Sequence, residues 1–167
     1  MGELHKSKYS IPYLEPAMPP QNAMPHGKDL RKGRVSLPRQ VYHITTVTFD
    51  RQPVFSDLRP ARVLINALRE AQARGDATTL AFVIMPDHMH WLLQLEGATA
   101  LSNVVGAVKA VTAHGLGGRI WQSGFHDHAL RQEEDLAKLA RYIVANPLRA
   151  GLVQRIGDDP HWDAVWL

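Results

Sequence analysis

The stretch Phe82–Leu95, FVIMPDHMHWLLQL, limits this chain more than any other. Two apolar runs flank Pro86-Asp87, a pair suited to a tight turn, so the stretch reads as two paired strands. Successive side chains of a strand point to opposite faces. Met89, Trp91, Leu93 and Leu95 then form one unbroken apolar stripe, fit for a core. His88, His90, Leu92 and Gln94 share the other face. Two neighbouring imidazoles pack poorly unless something sits between them. A metal ion or a phosphate is the simplest candidate, and the bland alternative is a hydrogen-bonded packing pair.

The remaining sequence must explain that pair. With 167 residues the chain is long enough for one domain with a real core. It contains no cysteine, which excludes disulfides, thiolate zinc sites and cysteine nucleophiles and suits a reducing cytoplasm. No apolar run approaches the roughly 20 residues of a membrane helix, and no export signal opens the chain. No membrane partner is therefore expected. The net charge of +3 is compatible with a nucleic-acid partner without demonstrating one.

Residues 1–33 carry Pro12, Pro16, Pro19, Pro20 and Pro25 and read as an irregular arm. Lys28, Arg31, Lys32 and Arg34 cluster around its end, as a solvated leader or, beside nucleic acid, as phosphate contacts. The domain proper is expected over 34–153, with 154–167 as a tail packing back through Trp162 and Trp166.

Within the domain, the β-branched and aromatic run Val41–Phe49 predicts a strand. Val63, Leu64, Ala67, Leu68 and Ala71 recur at helical spacing and predict a helix over 61–74. A second helix is expected over 101–114, a fourth strand over 121–131, and a further helix from Glu133 to Asn146, stopped by Pro147. The order is that of a ferredoxin-like α+β fold. It predicts a four-stranded antiparallel sheet with two helices on one face, and an additional C-terminal helix. The second sheet face stays open, and His88 and His90 point to it.

On that last helix Tyr142 and Asn146 are four apart and share one face, away from the apolar stripe of Leu136, Leu139, Ala140 and Ile143. If the helix lies over the open sheet face, two imidazoles, an amide oxygen and a phenol assemble. The first three make an open-sided metal site. The phenol is a candidate nucleophile, favoured as phenolate by the metal and by Lys138 one turn earlier. Taken singly, these residues have ordinary readings: a packing tyrosine, a helix stop at Asn-Pro, and solvated charges at Lys109 and Arg149.

Taken together, Met85-Pro86-Asp87-His88-Met89-His90, Trp121-Gln122-Ser123-Gly124-Phe125 and the segment from Tyr142 through Asn146-Pro147 to Val153 resemble the REP-associated tyrosine transposases, members of the HUH single-strand transposases of bacterial insertion sequences. The resemblance spans about residues 34–153. It implies that His88 and His90 are the metal-binding pair, with Asn146 as third ligand and magnesium or manganese as the ion. Ligand chemistry alone would favour a softer ion for imidazole.

The resemblance further implies that Tyr142 attacks single-stranded DNA and becomes linked to its 5′ phosphate. The partners implied are single strands carrying hairpins of repetitive extragenic palindromes. Arg34 and Arg39 are the implied guide-contacting residues, and Lys109 and Arg149 candidate backbone contacts. No nucleotide cofactor is implied, because the phosphotyrosine ester retains the bond energy. A monomer is expected, with a dimer as the alternative.

Two competing readings remain open at this stage. One is a catalytically inactive, domesticated nucleic-acid binding module of ferredoxin-like fold. The other is a metal-dependent hydrolase in which Tyr142 only packs. A relaxase is disfavoured, since those place their tyrosine ahead of the histidine pair.

Overall fold

The computed structural model describes residues 36–97, 99–131, 135–159 and 161–164. The Pro-rich arm, Arg34, Glu133, Glu134 and Trp166 lie outside the described residues. The described elements are β1 (Val41–Val47), α1 (Leu58–Ala73), β2 (Ala77–Met85), β3 (His88–Leu95), α2 (Leu101–Gly115), β4 (His126–Ala129), α3 (Leu136–Val144), the single turn α4 (Asn146–Arg149) and β5 (Trp162–Ala164). The strands form one antiparallel sheet in the order β4-β1-β3-β2-β5. The first four have the ferredoxin-like arrangement. β5 is an addition at the β2 edge, where the tail was expected only to pack.

β3 is the middle strand, and its alternation divides the molecule into two cores. Met89, Trp91, Leu93 and Leu95 are buried with Ile44, Phe82 and Ile84 under the apolar stripes of α1 and α2. Trp91 is fully enclosed, and its indole N–H donates to Thr79 Oγ1 at 3.1 Å. On the other face Leu92, Ala81, Val83 and Met85 pack against Ala140, Ile143 and Val144 of α3 and Ala164 of β5. α3 therefore lies on the histidine side of the sheet. It covers the β2 half of that face, the placement over the open face on which assembly of the site depended.

Three predicted boundaries move for local reasons. α1 begins at Leu58 rather than Ala61, because Pro60 falls in its first turn, where a missing N–H costs nothing. The predicted strand over 121–131 shrinks to His126–Ala129. Trp121 makes only an isolated bridge to Thr48, and Gly124 takes a positive φ of 81° that breaks the run. The tyrosine helix is also interrupted: α3 ends at Val144, and a new turn begins at Asn146 with Pro147 in its first positions. Among the described residues no helix is long and apolar enough to cross a membrane.

Candidate active site

The turn ahead of β3 is fixed by its surroundings. Thr48 N–H donates to the Asp87 carbonyl at 2.9 Å, and Phe55 N–H donates to that of Pro86 at 2.9 Å. The Asp87 side chain then does two things. Its Oδ1 accepts from His88 Nδ1 at 2.6 Å, and its Oδ2 accepts from Arg51 at 3.0 Å. Burial raises the carboxyl pKa, but the hydrogen bonds from His88 and Arg51 outweigh it and hold Asp87 below the usual carboxylate range. With Nδ1 committed to a carboxylate, Nε2 is the His88 nitrogen left to face a ligand. This is how ligating histidines are commonly oriented.

His90 is oriented by the neighbouring strand. Thr45 and His90 are directly paired across β1 and β3, and Thr45 Oγ1 lies 3.0 Å from His90 Nδ1. His43 Nε2 lies 3.2 Å from the same nitrogen. The rings of His88 and His90 meet edge to face, with centroids 5.0 Å apart. Burial, then the His43 and His88 rings, push the His90 pKa down to about 3. Burial, then His128, push that of His43 down to about 4. Both rings are neutral near pH 7, the form in which imidazole ligates.

Those lowered values predict acid lability in the metal-free protein. A histidine whose folded pKa lies below its unfolded value leaves the unfolded state binding more protons, so stability is full above the unfolded pKa and is lost as pH falls towards the folded one. His43 and His90 should each remove about 2 kcal/mol between about pH 7.5 and pH 5. Urea melts across that range test this, and a flat profile would contradict it.

Asn146 also departs from its expected setting. Its side-chain amide N–H donates to the carbonyls of Ile143 (2.8 Å) and Tyr142 (3.3 Å). Ile143 is the residue whose i+4 partner is Pro147, which has no N–H to give. The Asn146 amide thus replaces the bond that proline removes and closes the end of α3. This commits the nitrogen to the helix and leaves the amide oxygen as the free end. Tyr142 is partly exposed on α3, with the Arg149 guanidinium over its ring at 4.2 Å. Arg149, expected as a backbone contact, is thus held against the candidate nucleophile.

Two other residues expected to contact DNA, Lys109 and Arg39, lie within the described residues. The Lys109 ammonium donates to the carbonyls of Gln122 (2.7 Å) and Gly124 (2.5 Å), so it clamps the loop before β4. Arg39 has a positive φ of 64°, and its N–H donates to Leu95 at 2.7 Å. That is the far end of β3 from His88, about 20 Å along the strand. Arg34 lies outside the described residues.

Sequence reasoning missed Thr45 and His43, which flank His90, and the Asp87 tie to His88. The signal for the first two was present: His43 and Thr45 share one parity of β1, as His88 and His90 do of β3. Among the described residues no three His, Cys, Asp or Glu side chains form a metal-binding group.

Comparison with known proteins bears on the family and the fold. The chain is 35% identical over 82 residues to the REP-associated tyrosine transposase of Escherichia coli (strain K12), an alignment covering 48% of this chain and 50% of that protein. The chain thus spans about half the length of the curated relative it matches. A solved REP-associated tyrosine transposase bound to a REP hairpin superposes with a TM-score of 0.68 at 26% identity, covering 77% of this chain and 79% of the other. The family profile described as transposase, IS200 like, matches residues 36–146, from the start of the described chain through β3 and α3 to Asn146. With that span matched, the chain belongs to the IS200-like transposase family.

Proposed function

We propose that this protein is a metal-dependent single-strand DNA transposase that binds palindromic DNA hairpins and cuts and rejoins DNA through a 5′-phosphotyrosine. One observation carries the reading. Two imidazoles, those of His88 and His90, each with Nδ1 engaged, sit on the sheet face over which the Tyr142 helix is packed.

His88, His90 and the Asn146 oxygen would hold a divalent ion, magnesium or manganese, and leave its remaining positions to solvent and substrate. Such an ion withdraws charge from a phosphodiester and so lowers the barrier to attack. The protein's own groups do the rest. The Tyr142 phenol oxygen attacks phosphorus, and the bond from phosphorus to the 3′ oxygen breaks. The proton lost by the phenol is balanced by the one gained at the departing 3′ hydroxyl. The downstream fragment stays esterified to Tyr142 through its 5′ phosphate. Attack by a 3′ hydroxyl on that ester reverses the step, so rejoining needs no ATP. Arg149, stacked on the tyrosine ring, supplies a positive charge beside the reacting phosphate. Ala140, Ile143 and Val144 anchor α3 on its own chain's sheet, which supports a nucleophile working within its own subunit as a monomer.

The test is incubation with single-stranded hairpin DNA and manganese, reading covalent protein–DNA adduct on a denaturing gel. Adduct should form with the metal, fail to form when excess chelator is present from the start, and form again when manganese is restored. Chelator-resistant adduct would remove the metal from the account. Cleaved DNA without adduct would select the hydrolase reading.

A further inference from the structure

The histidine face does not end at His90. On the edge strand β4, His126 pairs with Thr45 and His128 with His43. Thr45 in turn pairs with His90. Residues paired across antiparallel strands point the same way, so His126 and His128 stand on the face of His88 and His90. Asp127 and Ala129 point to the other side, opposite Ile44 and Tyr42. With strands about 4.8 Å apart, His126 lies about 10 Å from His90 across the sheet. α3 packs on the β2 half of this face, and both β4 histidines are exposed.

The ordinary reading of such a strand is a solvated edge. Edges protected for solubility favour lysine and other charged residues. Here both outward positions are imidazoles, in line with His43 between them and the candidate metal pair. Imidazole offers a flat ring for a base and hydrogen bonds to base edges, as it does in single-stranded nucleic-acid recognition. The row also has a direction. From the His126 level to the His128 level it advances towards the end of the sheet that holds Arg39 and Arg131.

We propose that His126 and His128 form a base-stacking platform for the single-stranded DNA that flanks the scissile phosphate, extending the candidate site along β4 towards Arg39. The platform rests on the DNA-cleaving function proposed above, and it deepens that reading by assigning residues to the strand beyond the cut. It is continuous with the site through Thr45 and His43, so a strand leaving the phosphate at His90 crosses β1 onto β4 with no element among the described residues in between.

The test compares two fluorescent probes by anisotropy at fixed pH and salt: a palindromic DNA hairpin with a short single-stranded extension, and the same hairpin with blunt ends. Stacking is worth about 1–3 kcal/mol per base. The double variant His126→Ala, His128→Ala should bind the extended hairpin at least about fivefold more weakly and the blunt hairpin as the parent does. The double variant His126→Phe, His128→Phe, which keeps the rings, should restore the extended-hairpin affinity. Equal affinity of the alanine variant and the parent for the extended probe would overturn the proposal. So would an equal loss on both probes, or failure of the phenylalanine variant to rescue. If the parent binds neither probe, the DNA reading itself falls. The two failures are therefore distinguishable.

Discussion

Tyr142→Phe is expected to abolish the covalent protein–DNA adduct while leaving hairpin binding unchanged. The substitution removes one oxygen. The ring stays beneath the Arg149 guanidinium, since cation–ring attraction needs the π face and not the hydroxyl. Tyr142 is partly exposed, whereas Ala140, Ile143 and Val144 form the buried face of α3. Fold and docking are therefore retained, and the loss reports on chemistry alone. Removing an attacking nucleophile costs a covalent enzyme orders of magnitude, about a thousandfold or more. Adduct formed by the phenylalanine variant would show that another residue attacks.

The second large effect concerns stability. Trp91→Ala should cost about 3–5 kcal/mol, a large part of the roughly 5–15 kcal/mol that holds a typical domain folded. Trp91 is fully buried in the middle strand and fills the space between sheet and helices. Its loss leaves a cavity and also strips Thr79 Oγ1 of the indole N–H. Because Trp91 adjoins His90, the variant should lose site geometry along with stability. Denaturant melts measure the first effect. A loss below about 1 kcal/mol would mean that β3 is not the centre of the packing.

The parts of this arrangement that follow from local pattern were legible in the sequence. Strand alternation alone put Trp91 inwards and His88 and His90 outwards, and both directions hold. Apolar spacing found α1 and α2 to within a few residues. What failed depends on contacts distant in the chain. Nothing in HDHA states that it pairs with β1 or that its histidines join a row begun by His88, because pairing register is a tertiary property. β5 is three residues long and exists only because the β2 edge accepts it. Asn-Pro was read as a helix stop; in the folded chain the asparagine amide bridges the proline's missing bond, so the turn resumes as α4. Lys109 was read as a solvated charge or a DNA-backbone contact and Arg39 as a guide contact; that the first also holds two loop carbonyls and the second stands at the far end of β3 from His88 becomes visible only in three dimensions.

The central claim is that one tyrosine takes the DNA phosphate, and mass spectrometry of the purified adduct tests it most directly. After nuclease trimming and tryptic digestion, cleavage at Arg141 and Arg149 releases the peptide Tyr142–Arg149. This peptide should carry the residual nucleotide through its 5′ phosphate on the tyrosine oxygen. A nucleotide found on any other peptide, or attached through a 3′ phosphate, would contradict it.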